Sequence, residues 1–246
     1  MSARIWLVIP TYNEAENVGP IVHAVVEEMS KVAPEEFRIL IVDDNSPDGT
    51  GRLADALAQE LDVVEVMHRT SKNGIGRAYV AGFERALAGG AELVVEMDAD
   101  FSHDPKHLRA LIGAADDADL VLGSRYVSGG AVRNWGFVRK LISRGGSRYA
   151  RLVLGIKVRD LTGGFKCIRR HVLETIDLGS LRADGYVFQI EVTYRAIRSG
   201  FRVKEVPIVF VDRTVGASKM SSMIALEAVL LVPRLRRQDM RHLTRS

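Results

Sequence analysis

The stretch VVEMDADFSHDP, residues 94–105, runs an apolar segment straight into two carboxylates, Asp98 and Asp100, with only Ala99 between them. Leu93–Met97 has the length and side chains of a buried strand. The segment after it opens on Asp104 and Pro105, an N-cap acid followed by a first-turn proline, which predicts a helix over Pro105–Ala115. Residues i and i+2 share one face of an extended chain, so the two carboxylates repel each other unless a cation lies between them. Taken alone, such a pair reads as a solvated turn. Its meaning depends on what the other strand ends bring to the same place.

Working outward, the same strand–turn–helix unit recurs. Ile5–Ile9 predicts a first strand, and Val18, Ile21, Val22, Val25, Val26 and Met29 follow at helical spacing. Strands are predicted at Phe37–Val42, over VVEVMH and at Leu120–Gly123, and helices at Arg52–Leu61 and at Ile75–Leu87 before Gly89–Gly90. Strands alternating with such helices predict a doubly wound, mainly parallel sheet, an α/β fold that binds ligands beyond the carboxyl ends of its strands. Polar clusters stand at those ends: PTYNEAEN, DDNSPDGT, DADFSHDP and GSRY. The second half is less regular, with a helix predicted at Val187–Ser199 and one strand over FRVKEVPIVFV, where Pro207 marks an edge or a bulge.

Length and composition narrow the function classes. A chain of 246 residues with 47% apolar side chains can bury one sizeable core. Cys167 is the only cysteine, which excludes an internal disulfide and points to a reducing compartment. The longest late apolar run, MIALEAVLLVP, is shorter than the roughly 20 residues that span a bilayer. Arginine and lysine crowd RNWGFVRKLISRGGSRYARLVLG and PRLRRQDMRHLTR, interleaved with apolar residues, which favours an anionic membrane surface over nucleic acid.

At the strand ends, hard oxygen ligands at Asp98 and Asp100 suit Mg²⁺ or Mn²⁺ bridging to a phosphate-bearing substrate. DDNSPDGT has acids spaced somewhat like a calcium loop, but it follows a strand rather than a helix, so Pro47–Asp48–Gly49 reads better as a turn and Asp43 or Asp44 as the acceptor for a base or ribose. GIGRAY lacks the third glycine of a dinucleotide fingerprint, with Tyr79 in its place. Arg125, Arg139, Arg213 and Lys219 are the cations suited to phosphate oxygens.

Together PTYNEAEN, VDDNSPDGT, NGIGRAYVAGF, DADFSHDP, GSRYVSGG, NWGFVRK, TGGFK and DRTVGASK resemble family 2 glycosyltransferases of the dolichol-phosphate (polyprenol-phosphate) mannose synthase type, from about residue 5 to about residue 220. The resemblance implies a GT-A fold and inverting transfer of mannose from GDP-mannose to a polyprenyl phosphate. It implies a guanosine pocket lined by Pro10, Tyr12, Glu14, Val42 and Asp44, and diphosphate contacts from Asp98, Ala99 and Asp100. Asp98 and Asp100 would hold the metal, with Ser102 at a third position where relatives commonly carry Gln. Arg125 and Arg139 would receive the acceptor phosphate, and Arg213 and Lys219 would clamp the donor diphosphate. It also implies a catalytic domain over residues 1–220, then an amphipathic helix and basic tail over 221–246 with no transmembrane helix. The chain would sit peripherally on the cytoplasmic face of a membrane, with room for a separate membrane-embedded partner protein. UDP-glucose or another nucleotide sugar is the alternative donor, and a non-catalytic nucleotide-sugar-binding subunit the alternative role.

Overall fold

The structure, a computed structural model, describes residues 4–34, 36–181, 185–212 and 232–237. In chain order the strands are β1 (Ile5–Thr11), β2 (Phe37–Asp43), β3 (Val64–His68), β4 (Leu93–Glu96), β5 (Leu120–Ser124), β6 (Ala131–Arg133), β7 (Lys166–Arg169), β8 (Val203–Pro207) and β9 (Val209–Val211). The helices are α1 (Val18–Val32), α2 (Thr50–Glu60), α3 (Ile75–Ala88), α4 (Leu108–Gly113), α5 (Phe137–Leu154), α6 (Arg170–Thr175) and α7 (Gly185–Arg198).

Among the described residues, seven strands form one sheet in the order β3-β2-β1-β4-β7-β5-β8. Every pairing is parallel except those of β7, which runs antiparallel to both β4 and β5. Alternate residues feed two cores, one on each face. Trp6, Val8, Leu40 and Val42 enter one, while Ile5, Leu7, Ile9, Ile39 and Ile41 enter the other. Burial on both faces is why these strands read as unbroken apolar runs rather than alternating ones. Helix α3 lies so close to the sheet that a Cβ at Gly82 would stand 2.3 Å from Val8 Cγ1. The glycine there is a packing requirement.

The predicted elements are present, with two differences, and the structure adds β6, α5, β7 and α6, for which no element was predicted. The segment after Asp104 is not one helix: a 3₁₀ turn at Pro105–His107 precedes α4, and another follows at Ala114–Asp116. Asp104 does cap its start, accepting from the Lys106 N–H at 3.1 Å. The single strand expected over FRVKEVPIVFV divides after Pro207. β8 stays in the main sheet beside β5, whereas β9 pairs with β6 in a separate two-stranded ribbon. Ile208 joins them, donating to Ser124 O and accepting from Ala131 N–H. Of the added elements, β7 takes a central place in the sheet, and its charged first residue, Lys166, interrupts the apolar pattern of a buried strand.

Beyond β9, residues 232–237 are helical, with Val232 buried in the core on the α3 side. No helix among the described residues is long and apolar enough to cross a membrane.

Candidate active site

β1, β2, β4 and β5 all end at one edge of the sheet, and the loops that leave β1 and β2 are bonded to each other. After β1, Asn13 turns the chain through a left-handed conformation (φ 57°). The next backbone N–H groups then donate into the loop after β2: Asn13 to Ser46 Oγ, Glu14 to Thr50 Oγ1 at 2.9 Å, and Ala15 to Asp48 Oδ2 at 3.0 Å. Asp43 accepts from the Thr11 and Ser46 hydroxyls. The acids of DDNSPDGT other than Asp44 therefore knit two loops together.

Asp44 sits apart from that lacing. Its carboxylate is buried and paired with Arg69. Burial raises its pKa, only partly opposed by the Arg69 and Lys72 charges. The Lys72 ammonium lies 3.9 Å from the centre of the Tyr12 ring, so Tyr12, Asp44, Arg69 and Lys72 form one cluster. Glu14 accepts from the Asn17 amide at 2.8 Å. Pro10 pairs in register with Val42, whose side chain is fully buried in the core. Any pocket wall from Val42 is therefore backbone.

The acidic turn after β4 is tightly held. Asp98 is partly exposed and accepts from the Tyr79 hydroxyl at 3.0 Å. Asp100 is buried and accepts from the Ser102 N–H at 3.0 Å, so Ser102 meets Asp100 through its backbone. Ala99 is buried, and Phe101 takes φ 59°, a left-handed conformation that bulky residues rarely adopt. His103 anchors the turn. Its ring is buried, stacks on Phe165 at 5.0 Å, and accepts the Asp98 N–H at Nδ1. Burial pushes the imidazole pKa down against the pull of Asp98 and Asp100, keeping the ring neutral with its proton on Nε2.

Beneath this turn lies a buried ion pair. Lys166 Nζ meets Glu96 Oε1 at 2.6 Å and also bonds the Gln189 side-chain oxygen. Burial raises the Glu96 pKa to about 7 despite Lys166, and lowers that of Lys166. Lys166 is thus committed to Glu96. The all-oxygen pair Asp98 and Asp100, one partly exposed and both shaped by N–H or O–H donors, fits a hard divalent cation.

Arg125, at the end of β5, is the best-fixed cation of the site. Its side chain is 3% exposed and that of Asp160 is 0%. Nε and Nη2 grip the two carboxylate oxygens at 2.7 and 2.6 Å, and the Arg125 N–H adds a third bond at 2.9 Å. Thr162 accepts from Nη2, and the rings of Tyr126, Trp135 and Phe210 each lie about 5 Å from the guanidinium. The chain folds back over this arginine at Gly130, where a Cβ would come within 2.5 Å of Ser124 O. Phe210 joins the acidic and basic sides, since His103 meets the same ring at 5.5 Å. Arg139 lies on the first turn of α5. Arg213 and Lys219 lie outside the described residues.

The sequence reading missed Tyr79, His103, Asp160, Arg69 and Lys72. Tyr79 had a signal, since it stands where the abandoned dinucleotide fingerprint needs glycine. Asp160 had none, being joined to Arg125 across 35 residues.

Residues 6–177 match the sequence model of "Glycosyl transferase family 2". The chain belongs to glycosyltransferase family 2. Within it, the chain is 51% identical over 231 residues to a polyprenol monophosphomannose synthase of Mycolicibacterium smegmatis, covering 93% of this chain and 85% of the relative. It is 47% identical to an undecaprenyl-phosphate mannosyltransferase of Micrococcus luteus, covering 94% of this chain and 93% of that one. Among solved structures, a glucosyl-3-phosphoglycerate synthase of Mycobacterium tuberculosis superposes with a TM-score of 0.67 at 19% identity, over 95% of this chain and 80% of that one. A mannosyltransferase of Pyrobaculum calidifontis in complex with GDP-Man and Mn²⁺ gives 0.56 at 15% identity, over 100% and 76%. The GT-A fold of this glycosyltransferase is thereby established, as the motifs implied.

Proposed function

We propose that this glycosyltransferase moves mannose from GDP-mannose to the phosphate of a polyprenyl lipid, inverting the anomeric carbon and releasing GDP. The observation that carries the reading is the near-complete match, at 51% and 47% identity, to two enzymes named for mannosyl transfer to polyprenyl phosphates. The geometry suits that chemistry. An acidic turn fit for a metal and a locked arginine stand at one sheet edge, so both an anionic donor and an anionic acceptor can be held.

In this reading Tyr12, Glu14, Asp44 and the backbone around Pro10 and Val42 hold the guanosine. Asp98 and Asp100 hold Mg²⁺ or Mn²⁺, near Ser102, and the metal supplies charge neutralisation for the departing diphosphate. Arg213 and Lys219 reach the same diphosphate. Arg125, held by Asp160, and Arg139 receive the acceptor phosphate and align it behind the sugar carbon. The nucleophile is a phosphate oxygen, already anionic near neutral pH, so no general base is needed. Its bond to the sugar carbon forms as the bond from that carbon to the GDP oxygen breaks.

The catalytic unit in this reading ends near residue 220, and the 221–246 segment helps hold the chain peripherally on the cytoplasmic face of a membrane. This reading leaves room for a separate membrane-embedded partner protein and gives nucleic acid no role. The test is a donor panel with one short polyprenyl phosphate. GDP-mannose should be consumed in preference to UDP-glucose and other nucleotide sugars. Preference for UDP-glucose would replace the donor, and inactivity of the isolated chain toward all of them would favour the non-catalytic subunit.

A further inference from the structure

Helix α5 carries a second cationic cluster, to which the transfer reading above gives no role. Arg144, Arg148 and Arg151 follow at i, i+4 and i+7, so they share one side of the helix. With Arg159 and Tyr126 they line a groove of about 280 Å³. Among the described residues, none of these four guanidinium groups meets a carboxylate. The nearby Glu205 carboxylate instead accepts from the backbone N–H groups of Arg159 and Asp160, at 2.8 and 2.9 Å. Tyr126 is the shared wall: Arg125 lies 5.3 Å and Arg144 5.6 Å from its ring centre, and its hydroxyl bonds Ser143 at 2.7 Å. Four like charges gathered around one cavity are mutually repulsive, and an anion between them relieves that repulsion.

The neighbouring residues identify the kind of anion. Leu141 and Leu152 are 63% and 67% exposed, and Ile142 is 45% exposed. Leu141, Arg148 and Leu152 fall on one line along α5, so the arginines are flanked by solvent-facing aliphatic side chains. A soluble anion has no use for those leucines, whereas a lipid surface meets both features at once: phosphate in the groove, acyl chains against the leucines. The geometry points to the α5 groove as a headgroup site for a phosphate-bearing anionic lipid, separate from the Arg125 site and facing the bilayer from which the acceptor comes.

The test uses the full chain and vesicles of phosphatidylcholine with or without phosphatidylglycerol. It compares wild type, the Arg148→Gln/Arg151→Gln variant, and a control, Arg52→Gln/Arg109→Gln, that removes the same charge from exposed positions elsewhere. The groove variant should bind phosphatidylglycerol vesicles about 25-fold more weakly, because each of the two arginines at an anionic surface contributes about fivefold. The control should lose far less. Equal losses in the two variants would overturn the assignment. Titration with inorganic phosphate separates a lipid from a soluble anion. Phosphate binding lost in the groove variant while its vesicle binding stays intact would also overturn it. In bilayer-free solution the groove variant should keep its KM for a water-soluble, short-chain polyprenyl phosphate. A raised KM there would make the groove part of the acceptor site instead. Vesicle binding needs no turnover, so failure here leaves the transferase reading standing, and failure of transfer leaves this one standing.

Discussion

Replacing Asp160 with Asn tests how Arg125 is held. The wild-type carboxylate accepts three bonds from Arg125, two from the guanidinium and one from the backbone, with both side chains almost wholly buried. Asparagine keeps one carbonyl acceptor but turns an NH₂ toward a guanidinium donor and leaves the arginine charge uncompensated. Removing one partner of a buried pair costs about 3–5 kcal/mol. The surviving carbonyl bond places Asp160→Asn near the lower end, about 3 kcal/mol. With a urea m-value of about 3 kcal/mol/M, the unfolding midpoint should fall by about 1 M at neutral pH with m unchanged.

The acid dependence gives a second reading of the same variant. Burial alone would raise the Asp160 pKa, but the Arg125 charge and its hydrogen bonds outweigh it and hold the carboxyl below its usual value. A carboxyl depressed in the folded state contributes stability that is complete above the unfolded value, about 3.9, and is lost as pH falls through the folded one. The gap between wild type and Asp160→Asn should therefore be full at neutral pH and close below about pH 4. A midpoint change under about 0.3 M at neutral pH, or a gap that persists unchanged in acid, would refute the account of a buried, charged clamp.

Asp100→Asn should cut mannosyl transfer more than tenfold, at least about 1.4 kcal/mol of transition-state stabilisation; retained turnover without added divalent cation would contradict the metal assignment. His103→Phe keeps the stack on Phe165 but orphans the Asp98 N–H. Mn²⁺ affinity should then drop about 10- to 100-fold, as when a group orienting a metal ligand is lost, and unchanged affinity would show that His103 does not position Asp98. Gly130→Ala forces a methyl against the Ser124 carbonyl. It should cost about 1–3 kcal/mol in urea unfolding, and wild-type stability would mean that the close approach at Gly130 is easily relaxed.

Much of this architecture was legible in the sequence because two physical signals were strong. Strands buried on both faces left unbroken apolar runs, and the polar turns after them marked one edge of the sheet. β7 stayed hidden because its first residue, Lys166, neutralises Glu96 inside the core, a pairing fixed only by tertiary register. The division at Pro207 was half visible: proline announced an edge or a bulge, but not that the chain would leave one sheet for another. At the site, the motif residues Tyr12, Asp44, Asp98, Asp100 and Arg125 could be named from the chain. The groups that hold them could not. Asp160, Arg69 and His103 act through contacts that sequence spacing does not encode.

The central claim is best tested by one product analysis. The isolated chain is incubated with GDP-mannose, Mg²⁺ or Mn²⁺ and a short polyprenyl phosphate, and the lipid product is examined by mass spectrometry and by NMR of its anomeric carbon. The account predicts GDP and a polyprenyl phosphate bearing one mannose whose configuration is inverted from that of the donor. A product that retains the donor configuration, or GDP released with no mannose on the lipid phosphate, would contradict it.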